Sequence, residues 1–354
     1  TKLKELNRKY KIISPCFPPP AYVATTLIAT QMAENPTGMN DPACQVSFLC
    51  SILLSSNSIR SIVCSTMRAL DPGGPAHRFP AKRPTKVRST LTDCAVYYEV
   101  HVDGHEKLNF KALRMGRAGI DIYGARCDGS EFVLRMSVVP NVHCAATVGH
   151  FSLDLAESTS FIPVQITADG GTETQYMSPI QEQLHAQFAP NLLTEDAPAA
   201  VALKSSDNIP TEALWSYLLK FTGHNLKAVV LLGKTNNYMN ITLDLHIDLF
   251  HWLWSKIVQQ AVDLFVKYWN TYKTQKQCSK ALPSGVSLQT VFENPADFAL
   301  MHAGIPVDYE IIGQIRNTLP RSCEECLRWV STDFEACASA AYVGEPALSI
   351  SKGG

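Results

Sequence analysis

Val96-Tyr97-Tyr98-Glu99-Val100-His101-Val102-Asp103-Gly104 reads as an apolar strand closed by a carboxylate. Two further strand-like runs follow at short intervals, Ile120–Ala125 and Phe132–Val139, and connections this short predict antiparallel neighbours. The period then lengthens. Cys144, Val148, Phe151 and Leu155 recur at helical spacing, so a helix is expected there. Ile162–Ala168 reads as a fourth, buried strand ending on Asp169. A helix near Thr174–Phe188, a short strand at Val201–Lys204 and a helix from about Asn208 complete a mixed α/β order.

Outward from this core, which spans residues 94–275, the composition changes. Residues 1–70 look helical, with apolar positions at Val23, Leu27 and Met32 and again at Phe48, Ile52, Ile59 and Val63, interrupted by Pro18-Pro19-Pro20. Residues 71–93 form a basic linker rich in Pro and Gly. On the C-terminal side, Ala228–Leu232 reads as a strand. A long helix is expected from about His246 to Tyr272, with Phe250, Leu253, Ile257, Ala261, Leu264 and Tyr268 on one face. Residues 276–354 read as a helical extension and tail. The chain opens on Thr1 rather than Met, as expected of a fragment or a processed start.

A chain of 354 residues with 46% hydrophobic content has the material for two or three cored domains. No apolar run reaches the roughly 18 residues of a membrane span, so no membrane partner is expected. Eleven cysteines without a framework suggest free thiols in a reducing compartment, Cys323 and Cys326 being one CxxC without a second pair. A net charge of −1 excludes a protein that coats nucleic acid uniformly, but cations cluster locally. Arg78, Lys82, Arg83, Lys86 and Arg88 lie close together without an acid among them, and Lys267, Lys273 and Lys276 fall on or beyond the long helix. Such clusters can follow a phosphate backbone, and they can equally be solvated faces.

Three acids remain as candidates for chemistry: Asp103, Asp169 in Ile166-Thr167-Ala168-Asp169-Gly170-Gly171, and Glu212 in Asn208-Ile209-Pro210-Thr211-Glu212-Ala213-Leu214-Trp215. Magnesium takes hard oxygen ligands and keeps several waters, so one or two carboxylates per ion suffice. Two such ions can serve the attacking and leaving oxygens of an in-line phosphoryl displacement. Asn208 or Asp207 would cap the helix that carries Glu212, with Pro210 in its first turn. Singly, each acid also has an ordinary reading. Asp103-Gly104 could be a hairpin corner, Asp169 a turn residue and Glu212 a complement to the helix dipole. Other motifs fail: Gly233-Lys234-Thr235 has Ala228 where a phosphate loop needs Gly, and His105-Glu106 has Asn109 where a zinc helix needs His.

At these residues the chain resembles the DDE transposase and retroviral-type integrase superfamily, and more closely the fungal integrase core domain-containing proteins. The resemblance rests on Val102-Asp103-Gly104-His105-Glu106-Lys107-Leu108, Ile122-Tyr123-Gly124, Val138-Val139-Pro140-Asn141, Asp169-Gly170-Gly171-Thr172-Glu173-Thr174 and Asn208 through Trp215. It implies an RNase H-like core, a five-stranded mixed sheet with flanking helices, preceded by a small helical domain and followed by a helical region. It further implies Asp103, Asp169 and Glu212 as catalytic metal ligands, Mg²⁺ or Mn²⁺ as cofactor, and supporting roles for Asn208, Trp215 and His105. DNA would be the partner, as transposon ends and target, with a homo-oligomer and a nuclear location in keeping. Ser58-Ile59-Arg60-Ser61-Ile62-Val63 would be the recognition segment of a helix-turn-helix. The alternative is a catalytically silent, transposon-derived module that binds nucleic acid or protein.

Overall fold

The computed structural model describes residues 95–192, 197–203, 208–274 and 282–344, with six isolated positions before them. The expected helix-turn-helix and the recognition segment, the basic linker with Arg78, Lys82, Arg83, Lys86 and Arg88, and Lys276 lie outside the described residues. The chain divides into two compact units, residues 1–87 with 219–228 and residues 88–218 with 229–354. In the first unit the described residues are all helical. The second contains the sheet and all three acids.

Strands β1 (Ala95–Val96), β2 (Glu99–Leu108), β3 (Ile120–Cys127) and β4 (Val133–Val139) open the second unit, with the single helical turn α1 (Phe110–Leu113) between β2 and β3. Helix α2 (Ala145–Thr159) follows, then β5 (Phe161–Ile162), β6 (Gln165–Asp169), α3 (Met177–Phe188), β7 (Ala200–Leu203) and α4 (Ile209–Leu218). The main sheet has five strands in the order β4-β3-β2-β6-β7. β2, β3 and β4 pair antiparallel, whereas β6 pairs parallel with both β2 and β7. The protein is therefore α/β with a five-stranded mixed sheet, and from β2 to α4 its main strands and helices follow one another along the chain as the sequence predicted. Val100, Val102, Tyr123, Ala125, Val139, Ile166 and Ala168 form one face of the core, on which Val148, Phe151 and Leu155 of α2 pack.

Three of the expectations for strands change. β2 does not stop at Val102, because Asp103, Gly104 and His105 continue the ladder opposite Gly124, Tyr123 and Ile122. Asp103-Gly104 is thus strand interior, not a hairpin corner. The run Ile162–Ala168 is divided at Pro163, which has no N–H to give a ladder. β5 pairs instead with β9 (Ile305–Pro306), and β6 alone enters the main sheet. The supposed strand Ala228–Leu232 lies within helix α5 (His224–Thr235), where Val230 is buried and Val229 and Leu232 are exposed, the one-sided pattern of a helix.

Helix α6 (Asp244–Thr271) closes the β4 edge with a face that keeps Phe250 of the expected stripe but turns Leu264 outward. Leu264 is 61% exposed, while Ile247, Phe250, Ser255, Val258, Val262 and Phe265 are buried. The reason is polar. Asn270 accepts from Val133 N at 2.9 Å and donates to Val133 O at 2.9 Å. Gln259 accepts from Val138 N at 2.7 Å and donates to Met136 O at 3.3 Å. An edge strand needs partners for its outward N–H and C=O groups, and these two amides supply them. Helices α7 (Leu288–Glu293), α8 (Tyr309–Arg316), α9 (Cys323–Leu327) and α10 (Thr332–Gly344) complete the unit, and β8 (Met301–His302) pairs with β1. Among the described residues no helix is long and apolar enough to cross a membrane.

Candidate functional site

Side chains alternate along a strand, so Glu99, His101, Asp103 and His105 of β2 share one face of the sheet. The register sets their neighbours: His101 lies opposite Arg126 on β3 and Thr167 on β6, and Asp103 lies opposite Gly124. Carried on by two residues, the β2–β6 register sets Asp103 beside Asp169, the last residue of β6. Adjacent strands lie only about 4.8 Å apart, so two carboxylates meet where β6 ends and β2 runs on.

Helix α4 lies over this polar face and holds both acids. Asn208, Glu212 and Trp215 follow at intervals of four and three residues, which sets them on one side of the helix. Asn208, at the helix start, donates through Nδ2 to Asp169 Oδ1 at 3.3 Å and to Val102 O at 3.3 Å. The Trp215 indole N–H donates to Asp103 Oδ2 at 2.7 Å, and the Gly104 N–H donates to Asp103 Oδ1 at 2.7 Å. Glu212 therefore sits between two residues anchored on the two aspartates. It is exposed, in the first turn of α4. Asn208 occupies the expected start position, but its side chain reaches into the sheet instead of capping the helix. Arg126 helps to seat this end of α4 by donating to Pro210 O at 2.7 Å.

The supporting residues are tightly fitted. The His105 ring stacks on Trp215 with centroids 4.8 Å apart, and burial pushes its pKa down to about 4, so it is neutral near pH 7. Gly124 makes room for the indole: a Cβ there would stand 2.7 Å from Trp215 Cη2. The Asp103 carboxyl is pushed up to about 6, first by burial, against the Trp215 hydrogen bond, with further increments from Asp169 and Glu212. Asp169 and Glu212 both lie within electrostatic reach of Asp103. Of the cations named in the sequence, Lys267 and Lys273 are exposed, and Lys273 lies past the end of α6.

A second group was not singled out in the sequence. Glu99, His101 and Asp128 bring one ligand atom each within 4.8 Å of one another, a buried group that could hold a metal ion. The signal was present as polar residues at every second position of a strand, Glu99-Val100-His101-Val102-Asp103, but Asp128 joins only through the β2–β3 pairing. Among the described residues the cysteines, including Cys323 and Cys326, form no comparable group. No protein-family model matches the chain, and no curated protein matches it.

Proposed function

We propose that this chain is an integrase- or transposase-like polynucleotidyl transferase with an RNase H-like core, acting on DNA through Asp103, Asp169 and Glu212. One observation carries the reading. The β2–β6 register brings Asp103 beside Asp169, while the α4 face that bonds both of them presents Glu212 between its anchors.

The donor set fits Mg²⁺ or Mn²⁺, since it consists of hard carboxylate oxygens whose mutual repulsion two divalent charges would relieve. Bound there, such ions would polarise phosphoryl oxygens and assist ionisation of the attacking hydroxyl. The chain's own residues supply positioning. Trp215 and Gly104 fix the plane of the Asp103 carboxylate, and Asn208 fixes Asp169. Neutral His105 holds the indole from its other side without adding a competing positive charge. Glu212 is exposed beside them, where incoming phosphodiester and solvent can reach it. DNA ends and target would be the partners, with Lys267 and Lys273 among the backbone contacts, and a nuclear location would follow from that substrate.

A second reading has its own support. Both Asp103 oxygens already accept hydrogen bonds, as in a purely structural aspartate, and a silent nucleic-acid- or protein-binding module would retain that arrangement. Metal-dependent nicking of supercoiled plasmid and joining of labelled duplex ends separates the two. Activity with Mg²⁺ or Mn²⁺ that disappears in each of Asp103→Asn, Asp169→Asn and Glu212→Gln supports the transferase. Salt-sensitive DNA binding with no turnover in the wild type supports the silent module.

A further inference from the structure

We propose that the end of β2 and its connection to β3, residues 107–119, form an anchored basic platform on which the backbone of duplex DNA lies beside the three acids. The proposal takes its ligand from the transferase reading and adds where that ligand binds. Lys107, Lys111, Arg114 and Arg117 fall in this stretch, and no acid does. All four are exposed.

Topology puts the platform at the acids' end of the sheet. β2 and β6 run parallel, and β6 stops at Asp169, whereas β2 continues past Asp103 to Leu108 before the chain returns through β3. The connection therefore projects from the end at which Asp103 and Asp169 meet. The stretch from Asp103 to Leu108 covers about 17 Å, the length of about five phosphates along one DNA strand. Lys107 is within electrostatic reach of His105, which stacks on the indole bonded to Asp103.

A solvated loop accounts for exposed cations but not for how these are held. Leu113, Met115 and Ala118 are buried beneath them, and Asn109 caps the single turn of α1 by accepting from Ala112 N at 2.9 Å. Gly119 lets the loop close on itself, since a Cβ there would stand 2.0 Å from Phe110 N. Lys234 Nζ donates to Arg114 O at 2.7 Å, which adds a fifth cation to the group. The acids nearby do not balance them. Glu106 accepts from Asn109 and pairs with His143, Asp244 pairs with Arg117, and Asp121 is buried. Among the described residues Lys107, Lys111, Arg114 and Lys234 make no ion pair. Like charges gathered on a fixed surface repel one another, and a polyanion relieves that repulsion while releasing its own counterions.

The test is fluorescence anisotropy of a labelled duplex of about 20 base pairs with the full chain in chelator, between about 50 and 200 mM salt. Binding is then read without turnover. Lys107→Gln/Lys111→Gln/Arg114→Gln is expected to lower the slope of log affinity against log salt by roughly 2–3, and to weaken binding at least about tenfold at the lower salt. The charge-keeping Lys107→Arg/Lys111→Arg/Arg114→Lys should retain the wild-type slope. If the neutral triple variant does not fold by circular dichroism, the single exchanges decide, each expected to lower the slope by about 0.9. An unchanged slope overturns the platform and leaves the transferase reading standing. Salt-sensitive binding through these cations without metal-dependent turnover removes the transferase and keeps the platform. A wild type that binds no duplex overturns both.

Discussion

Gly124→Ala tests how the site is built, because Gly124 and Trp215 occupy one another's space. No positive φ is required at Gly124, so alanine suits its backbone and, taken alone, should stabilise the strand by about 0.5–1 kcal/mol. The side chain is the obstacle. Its Cβ would stand 2.7 Å from Trp215 Cη2 and 3.3 Å from both Trp215 Cζ2 and Met136 Cγ. Real Cβ atoms do not approach so closely, and displacing a packed ring costs about 1–3 kcal/mol. The displaced indole also leaves Asp103 Oδ2, forfeiting a hydrogen bond to a partly buried carboxylate worth roughly 1.5–3 kcal/mol. Gly124→Ala is therefore expected to lose on the order of 2–4 kcal/mol in urea denaturation. Trp215→Phe loses the same hydrogen bond but also removes the outer ring that the new methyl would strike. In the double variant the alanine should thus cost little or even stabilise, giving a coupling of at least about 1 kcal/mol in the cycle. Costs that add to within about 0.5 kcal/mol would refute the reasoning, since two residues in steric conflict cannot act independently.

One component of the pH dependence of the metal-free protein comes from Asp103, whose carboxyl titrates at about 6 when folded and at 3.8 when not. Between these values the folded state holds the extra proton, so the Asp103 contribution to stability should fall by up to about 3 kcal/mol from pH 4 to 6 and level off above, alongside a like contribution from Asp121, also pushed up to about 6, and an opposite one from His105, pushed down to about 4. Urea midpoints in chelator should show the Asp103 component as the difference in pH slope between the wild type and Asp103→Asn, and equal slopes in the two would refute it. Asn270→Ala leaves the buried N–H and C=O of Val133 without their side-chain partner, which should cost roughly 2–4 kcal/mol. Denaturation of that variant should also be accompanied by light scattering as the β4 edge becomes available for pairing.

The order of strands and helices was legible because it rests on local periodicity. β3, β4, α2, α3, β7 and α4 fall within a few residues of where apolar spacing and turn residues set them. The misreadings have particular causes. Val229-Val230-Leu231-Leu232 is β-branched and apolar enough to pass for a strand, yet only Val230 is buried in the helix that forms. The α6 stripe was misassigned because counting apolar residues could not foresee that Gln259 and Asn270, both polar, must face β4. Pro163 was the overlooked local signal, a residue that cannot continue a central strand.

For the site, the sequence by itself determined which acids were available and that Asp169 and Glu212 stood near the boundary of an element. It could not bring them together, because proximity between Asp103 and Asp169 is a matter of register, and a shift of one residue would turn Asp103 into the apolar core. Only the tertiary structure decided that β2 continues past Asp103, that β6 stops at Asp169, and that α4 fastens both through Asn208 and Trp215. The same holds for Glu99, His101 and Asp128, two residues on one strand and a third just beyond the next. Local preferences act over a few neighbours and can be read in order along the chain. Convergence of charges arises from strand pairing over long separations, and its energy exists only once the sheet has formed.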